Sequence, residues 1–326
     1  MSPLAAEDLA APVRTEMEAT EKELVRLLDA ESESLRPLSD HLARYGGKRI
    51  RPALVHLSAY LIDKPNPDHV VIAAMVEAIH MASLLHDDVL DGADTRRKSM
   101  TLNALHGNQV PILLGDFVYS KAFARSLDLD NQEAGRVLAE ASQALCRGEI
   151  EQSLFKARRI FDEDAYFMVI NLKTASLFEA SLYLGARYAG GDEAQVESLA
   201  DYGRKLGMAF QIIDDCLDVV GDERVVGKSL GTDLETGKLT LPVIRLARSL
   251  APERVERLRE VLFGEVDGSR RECLTGEFDL EEAVASARYE AKSLALEARE
   301  LISQFPEVPA RHSLAGLCEF VIARSH

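Results

Sequence analysis

Two short stretches of this sequence each place three aspartates in the spacing Asp-Asp-x-x-Asp. The six residues are Asp87, Asp88 and Asp91 in the first stretch and Asp214, Asp215 and Asp218 in the second. On a helix, residues four apart lie on one face, about 6 Å apart along the axis. Each stretch follows an apolar segment typical of a buried helix, where a carboxylate must be paired, protonated or bound to a metal. One such stretch is most often a solvated acidic surface, but two of them predict a functional site.

The aspartates predict a magnesium site. Carboxylate oxygens without His or Cys neighbours suit Mg²⁺ rather than Zn²⁺, and we interpret Cys216, inside the second stretch, as a core residue. Asp94 would extend the first acidic face if the helix continued past Gly92. Mg²⁺ usually takes one or two protein carboxylates plus phosphate oxygens of a substrate. We therefore expect the two stretches to bind several Mg²⁺ ions and, through them, a diphosphate.

Basic residues near these stretches could balance the negative charge of such a ligand. The candidates are Lys48, Arg49, Arg51, Arg96, Arg97, Lys173, Lys228 and Lys238. Lys173, followed by Thr174, lies between apolar neighbours, where a lysine is costly without an anionic partner. Each cation alone is an ordinary surface residue, whereas together they match the requirement of two phosphate-rich substrates.

The elements that carry these residues are predicted to be helical along almost the whole chain. Helical periodicity recurs in most segments, and alternating strand patterns are nearly missing. The helix before Asp87 has so few charges that we expect it to be buried. The longest break, at 221–238, is a candidate functional loop. We predict an all-α single domain over 1–326, with an N-terminal helix in 1–35, catalytic motifs in 40–245 and C-terminal helices in 250–326.

Bulk properties exclude several classes of protein. The chain has 326 residues and a formal net charge of −16, which argues against nucleic-acid binding and fits an anionic membrane surface badly unless a local basic patch overrides it. By sequence, no apolar run approaches the roughly 18 residues of a transmembrane segment, and the N-terminus does not resemble a signal peptide. The four cysteines form no CxxC pair and look like reduced core residues. A cytoplasmic protein is expected.

Six stretches together resemble one known family, the trans-type isoprenyl diphosphate synthases or polyprenyl synthetases. In chain order they are GGKRIRP, HDDVLDGADTRR, GNQVPILLGDF, LKTASLFEAS, QIIDDCLDVVGD and GKSLGTDLETGKLTLP. The resemblance implies an isoprenoid synthase-type bundle of long helices around a central cavity. It also implies a Mg²⁺-dependent prenyltransferase that condenses isopentenyl diphosphate with an allylic diphosphate, with three ions when substrate is bound. A homodimer is expected on the same ground.

The resemblance also assigns roles to individual residues. The implied metal ligands are Asp87, Asp91 and Asp214, supported by Asp88 and Asp218, with Asp215 and Lys173 also counted as catalytic. The implied ligands of the allylic diphosphate are Arg96, Lys173, Thr174, Gln211, Lys228 and Lys238. The implied ligands of isopentenyl diphosphate are Lys48, Arg51, His80 and Arg97. A lone histidine on an apolar helix is usually a core residue, so His80 rests on its family position alone.

Ala82 and Ser83, just before Asp87, bear on product length. Short-chain members of the family carry a bulky aromatic residue there, which stops the growing tail. The small residues predict a long-chain product, hexaprenyl to decaprenyl, as in an octaprenyl diphosphate synthase. Alternatively, they only let helices pack closely, and the product is a shorter farnesyl or geranylgeranyl diphosphate.

Two loops depart from the family pattern. Lys98-Ser99-Met100 stands where the family usually has Gly and then Pro, and Thr232-Asp233 followed by Glu235 stands where it often has two aspartates and a basic residue. We expect these departures to change loop shape and closure rather than the reaction.

Three other functions stay open at this point. A terpene cyclase has no isopentenyl site, and its second metal motif usually mixes Asp or Glu with Asn and Ser. A non-catalytic subunit typically loses metal-site aspartates or the paired arginines. A magnesium-dependent phosphohydrolase normally needs a nucleophile or a water-activating base. The second aspartate stretch and the GGKRIRP segment speak against a cyclase, and the retained aspartates and paired arginines speak against a non-catalytic subunit.

Overall fold

A computed structural model of the chain is helical in almost every segment that it describes. The structure describes residues 9–29, 32–43, 45, 47–96, 99–221 and 230–323. The α-helices, numbered in chain order, are α1 Arg14–Leu28, α2 Arg36–Ala43, α3 Ile50–Ile62, α4 Pro67–Leu90, α5 Leu102–His106, α6 Gln109–Ser126, α7 Glu133–Arg158, α8 Glu163–Ile170, α9 Ser176–Tyr188, α10 Glu193–Val220, α11 Thr232–Glu235, α12 Leu241–Ser249, α13 Pro252–Phe263, α14 Arg270–Glu277, α15 Glu281–Leu301 and α16 Pro309–Ala323. A 3₁₀ turn, Ala11–Val13, precedes α1, and a π-helical turn, Asn171–Ala175, joins α8 to α9. The predicted all-α class is confirmed.

A two-stranded antiparallel hairpin follows α4. Strand β1, Thr95–Arg96, pairs with β2, Ser99–Met100. Strand β2 contains Ser99 and Met100, two residues of the departure from the family pattern after the paired arginines. The sequence did not predict it, because two-residue strands carry no alternation pattern.

The chain groups into two compact units. Unit 1 comprises Met1–Gln143, Leu177–Gly203 and Arg299–Leu317, and unit 2 comprises Ala144–Ser176, Arg204–Ala298 and Cys318–His326. The first aspartate stretch belongs to unit 1 and the second to unit 2. Neither unit matches the predicted segment boundaries, and the single-domain organisation stays a prediction.

Helix α4 forms the centre of the core of unit 1. It packs against α1, α3 and α6, and most of its side chains between Val71 and Leu85 are buried. Its start is fixed by Asn66, whose side chain accepts a hydrogen bond from the N–H of Asp68 at 3.0 Å, with Pro67 at the first helical position. The predicted buried helix is confirmed.

Among the described residues, α4 is also the one helix with the length and composition of a membrane span, at 24 residues. The expectation that no apolar run approaches spanning length was therefore wrong. In the protein, 72% of its most apolar window is buried. Such burial is typical of a core helix, because the apolar side chains are already removed from water by the neighbouring helices.

Unit 2 contains the C-terminal part of α10, which carries the second aspartate stretch. Arg271 on α14 fixes the end of this helix: its Nε donates to the carbonyl of Val219 at 2.8 Å and its Nη2 to that of Gly221 at 2.5 Å. These carbonyls have no partner within the helix, and a cation at a helix C-terminus is favourable. Arg245 on α12 pairs with Glu163 on α8 at 2.6 Å, tying two further helices of the unit together.

The cysteines are all free thiols, but only two lie in the core. Cys216 and Cys318 are buried, whereas Cys146 is exposed and Cys273 is partly exposed. The prediction of core residues was wrong for Cys146 and Cys273, because a single cysteine carries no pattern that distinguishes a surface position from a core position.

His56, on α3, is a fully buried histidine of unit 1. Its Nε2 lies 2.8 Å from the hydroxyl of Thr20, and this hydroxyl donates to the carbonyl of Glu16 at 2.9 Å. Nε2 must therefore carry the proton, and Nδ1 is left buried with no partner among the described residues. Burial lowers the pKa of His56 to about 3.

We expect this histidine to make the fold sensitive to acid. The unfolded chain takes up the proton near pH 6.5 and the folded chain only near pH 3, so stability falls as the pH drops between these values. In His56→Leu, the slope of the free energy of unfolding against pH should be smaller than in wild type by up to about 1.4 kcal/mol per pH unit. Urea unfolding from about pH 7 to 4.5 measures this slope. His312→Leu removes an exposed histidine and should keep the wild-type slope. Identical slopes for wild type and His56→Leu would contradict the prediction.

Candidate active site

The first aspartate stretch lies at the C-terminal end of α4. Asp91 is the C-cap residue, and its N–H donates to the carbonyl of Asp87 at 2.9 Å. Asp87 and Asp91 are therefore one helical turn apart, as predicted, and both are half-buried. Gly92 has a φ of +61°, which ends the helical path, so the acidic face does not continue to Asp94.

Asp88, between them, is buried in unit 1 and has its own partners. Both Nε and Nη2 of Arg96 lie on one of its carboxylate oxygens, at 2.8 and 2.7 Å, and the hydroxyl of Tyr45 donates to the other at 3.0 Å. Burial raises the pKa of Asp88, and the charge of Arg96 opposes that rise. Asp88 thus holds Arg96, a predicted ligand of the allylic diphosphate, against the end of α4.

The second stretch repeats this arrangement on α10. Asp214 is half-buried, whereas Asp215 is buried and accepts hydrogen bonds from the hydroxyl of Tyr166 at 2.6 Å and from the amide of Gln211 at 2.8 Å. Burial raises the pKa of Asp215 well above its usual range, and the nearby charge of Asp233 acts in the same direction.

Asp218, the third residue of this stretch, caps the short helix α11. Its carboxylate accepts from the hydroxyl of Thr232 and from the N–H of Asp233, both at 3.1 Å. Thr232 stands where the family often has an aspartate, and its hydroxyl donates where a carboxylate would repel Asp218. The structure therefore gives this departure from the family pattern a local explanation.

Four predicted ligands of the allylic diphosphate line one cavity within unit 2. The cavity has a volume of about 60 Å³. The four predicted ligands in its wall are Lys173, Thr174, Gln211 and Lys238. The hydroxyl of Thr174 donates to the amide oxygen of Gln211 at 2.8 Å, and the amide nitrogen bonds Asp215, so the orientation of the Gln211 amide is fixed from both sides. Lys238 lies 3.5 Å from the carboxylate of Asp233, a further lining residue.

Lys173 lies in the π-helical turn, where the sequence predicted an ordinary helix. Its ammonium group pairs with Glu149 and lies 3.3 Å from the amide oxygen of Gln152, both on α7. Gly148 permits this approach, because an added Cβ would lie 2.8 Å from the backbone nitrogen of Lys173. Such single π-turns frequently occur at functional sites. The anionic partner that the sequence required for this lysine is Glu149.

The GGKRIRP segment leads into α3 in unit 1. Arg49 has a left-handed backbone, φ +47°, and its guanidinium pairs with Glu21 at 2.7 Å and with the buried Glu77 at 2.6 Å. Arg51 lies over the ring of Phe178, 4.7 Å from its centroid, and its buried Nε has no hydrogen-bond partner among the described residues. Burial lowers the pKa of Arg51 to about 10. Arg49 thus forms ion pairs with two carboxylates, whereas the Nε of Arg51 can still donate a hydrogen bond to a ligand.

The remaining predicted residues have varied surroundings. Lys48 is exposed before α3, and His80 is half-buried on α4, three residues after Glu77. Ala82 and Ser83 on α4 are buried, and Ala82 belongs to the hydrophobic core of unit 1. Two predicted ligands, Arg97 and Lys228, lie outside the described residues.

Sequence reasoning missed the hydrogen-bond and ion-pair partners of the predicted site residues. These are Tyr45, Tyr166, Glu149, Gln152 and Asp233. The two tyrosines are separated by more than forty positions from the aspartates that they bond, and no local pattern marks such a pair. Glu149 was open to prediction, because a lysine between apolar residues requires an acid nearby.

The donor chemistry of the predicted metal ligands fits Mg²⁺. Asp87, Asp91 and Asp214 offer only carboxylate oxygens, and the first two are one turn apart. In the part of the chain that the structure describes, three or more His, Cys, Asp or Glu side chains do not gather into one complete site. Mg²⁺ does not require such a group, since it completes its shell with water and substrate phosphate.

Comparison with known proteins bears on the whole chain. The polyprenyl synthetase family model matches residues 32–273. The octaprenyl diphosphate synthase of Escherichia coli (strain K12) is 35% identical over 304 residues, which cover 92% of this chain and 93% of that protein. The short chain isoprenyl diphosphate synthase of Methanothermobacter thermautotrophicus is 36% identical over 307 residues, covering 91% and 93%.

The fold agrees with a solved structure over its full length. A polyprenyl synthase from Caulobacter crescentus CB15, complexed with calcium and isoprenyl diphosphate, matches with a TM-score of 0.91 at 31% identity, covering 100% of both chains. The extent of the family match, together with these identities, shows that this chain belongs to the polyprenyl synthetase family.

Proposed function

We propose that this chain is a Mg²⁺-dependent prenyltransferase that adds isopentenyl diphosphate head-to-tail to an allylic diphosphate and yields a long-chain trans-polyprenyl diphosphate. The observation that carries the proposal is the convergence of Lys173, Thr174, Gln211 and Lys238 on one cavity. Two ammonium groups beside a hydroxyl and an amide suit the oxygens and charge of a diphosphate. Membership of the polyprenyl synthetase family supports the same reaction class.

The side chains of this cavity favour departure of the diphosphate. Lys173 and Lys238 neutralise the negative charge that grows on it as the allylic C–O bond breaks and the bonding electrons leave with the diphosphate. The double bond of isopentenyl diphosphate then supplies the electrons of the new C–C bond to the allylic cation. A proton leaves the adjacent carbon, for which the released diphosphate is the base. The product is again an allylic diphosphate and can react further.

We propose Asp87, Asp91 and Asp214 as the ligands of Mg²⁺. Bound Mg²⁺ would add charge neutralisation on the diphosphate oxygens. Asp88 and Asp215, each tied to a tyrosine, would keep the stretches in position. Three ions in the substrate complex remain part of this proposal.

For isopentenyl diphosphate, we propose Lys48, Arg51, His80 and Arg97 as ligands. The buried Nε of Arg51, which has no partner among the described residues, supports its role, because a buried donor left unsatisfied is costly until a ligand accepts from it. Arg49 is not included, since two glutamates already neutralise it.

The proposed product is hexaprenyl to decaprenyl diphosphate. Relatives of near-equal identity carry both long-chain and short-chain names, so their names do not decide the product length. The proposal rests instead on the small residues before Asp87. Ala82 lies in the hydrophobic core of unit 1, which favours close packing as the reason for its size. Ser83, one helical turn before Asp87 and 5% exposed, is the position at which we place control of the tail.

We also propose that the enzyme works as a homodimer in the cytoplasm. Helix α5 packs on α6, and the pair exposes three large apolar side chains, Leu105 at 46%, Ile112 at 41% and Leu113 at 57%. Exposed apolar side chains of this size suit a subunit interface. The four free thiols are compatible with a reducing compartment.

Incubating the protein with isopentenyl diphosphate, farnesyl diphosphate and Mg²⁺ tests the reaction. Elongated prenyl diphosphates are expected, and chelation of the metal should abolish them. A cyclic hydrocarbon, simple hydrolysis or inertness would instead support the cyclase, the phosphohydrolase or the non-catalytic subunit.

Asp87→Asn and Asp214→Asn should each lower kcat by at least about a hundredfold, because each removes a charged metal ligand. Asp68→Asn, at the other end of α4, is the matched control and should retain activity. Wild-type turnover in both test variants would remove these aspartates from the metal site.

Ser83→Phe should shorten the product, because the aromatic ring would occupy the path of the growing tail. Chromatography of dephosphorylated products from wild type and variant measures this directly. Ala82→Phe should mainly lower Tm, since overpacking a core costs about 1–3 kcal/mol. An unchanged product distribution in Ser83→Phe would place the control of length elsewhere.

Leu113→Glu should convert a dimer into monomers, because a charge would be buried in an apolar contact. Sedimentation velocity at micromolar concentration provides the measurement. Leu296→Glu alters an exposed leucine on α15 and should leave the dimer intact. A dimer that survives Leu113→Glu would rule out this face.

A further inference from the structure

Thr240 precedes α12 but does not cap it. It is the N-cap residue of this helix, with an extended backbone (φ −89°, ψ 161°), and its side chain makes no capping hydrogen bond. A threonine in this position ordinarily accepts from the N–H of the second or third helical residue. The second residue here is Pro242, which has no N–H. No hydrogen bond joins this hydroxyl to the N–H of the third residue, Val243, either, so the hydroxyl is not used by its own helix.

The same hydroxyl is buried and lacks a partner. Thr240 is 4% exposed, and its Oγ1 has no hydrogen-bond partner among the residues that the structure describes. By contrast, the hydroxyl of Thr174 in the same unit donates to Gln211. A buried hydroxyl without a partner loses its hydration and gains nothing in return, so such groups require an explanation.

Its location supplies that explanation. Thr240 lines the cavity of unit 2, together with Lys173, Thr174, Gln211 and Lys238. The N-terminus of α12 adds a partial positive charge of the same sign as the two lysines. A phosphoryl oxygen only accepts hydrogen bonds, and a hydroxyl can donate one to it. An anionic oxygen bound in this cavity would satisfy the hydroxyl of Thr240.

We propose that Thr240 is a further binding residue of this site and donates its hydroxyl proton to a phosphoryl oxygen of the allylic diphosphate. The inference rests on the proposed function, since it adds one ligand to the same cavity. It also explains why a buried threonine follows Lys238 so closely: the lysine supplies charge, and the threonine supplies a directed hydrogen bond.

The kinetic test compares three variants. Thr240→Val keeps the volume and removes the hydroxyl, Thr240→Ser keeps the hydroxyl, and Thr20→Val removes a buried hydroxyl that has partners. Thr240→Val should raise KM for farnesyl diphosphate on the order of tenfold, the effect of losing a hydrogen bond to a charged group. KM for isopentenyl diphosphate should change less than about twofold, and Thr240→Ser should restore the wild-type value.

Stability should move in the opposite sense. Thr240→Val should have an unchanged or higher Tm, because it removes an unsatisfied group, whereas Thr20→Val should have a lower Tm and unchanged KM values. The inference is overturned if Thr240→Val lowers Tm as Thr20→Val does while KM for farnesyl diphosphate stays at the wild-type value. That result would mean that the hydroxyl serves the fold.

Direct binding separates this inference from the proposed reaction. Calorimetry with inorganic diphosphate and Mg²⁺ reports on the anion site without requiring turnover. Weaker binding by Thr240→Val than by wild type supports the role of Thr240 even if no prenyl product forms, an outcome that would defeat only the proposed function. If wild type elongates farnesyl diphosphate but Thr240→Val binds diphosphate as tightly as wild type does, only the Thr240 inference is defeated.

Discussion

A carboxylate that leaves water must find donors inside the protein, and this requirement determines what each aspartate of the two stretches can do. In both stretches the second aspartate is buried and accepts a hydrogen bond from a buried tyrosine, Asp88 from Tyr45 and Asp215 from Tyr166. Each has a further donor, Arg96 in unit 1 and the amide of Gln211 in unit 2. The first aspartates are only half-buried. The same position in each stretch is thus hydrogen-bonded inside its unit, whereas the aspartate before it is only partly buried.

The cavity of unit 2 depends on these anchors. Asp215 orients the amide of Gln211, which in turn accepts from Thr174, so one buried carboxylate fixes two lining residues. Both lysines of the cavity also have an acidic neighbour, Glu149 for Lys173 and Asp233 for Lys238. These acids prevent the lysines from being uncompensated charges before substrate binds. Under the proposed function, a bound diphosphate would therefore compete with Glu149 and Asp233 or share the lysines with them.

The sequence predicted those parts of the molecule that rest on local patterns. The long helices follow from apolar periodicity, and the start of α4 follows from Asn66 and Pro67. The pairing of Asp87 with Asp91 needed only helical spacing. The π-helical turn, the hairpin at β1 and β2 and the tyrosine anchors could not be predicted in this way. They depend on contacts between distant positions, such as the approach of Gly148 to Lys173, for which a single sequence carries no periodic signal.

Helix α4 fills the core of unit 1 and also carries Asp87 and Ser83. Under the proposed role of Ser83, evolution of product length at this helix is constrained by folding: a larger residue that redirects the tail would also press on neighbours packed at close to crystal density. Lineages that change product length would need compensating replacements on α1, α3 or α6, or a reserve of stability acquired beforehand. Laboratory selection for altered products should accordingly begin from a thermostabilised parent.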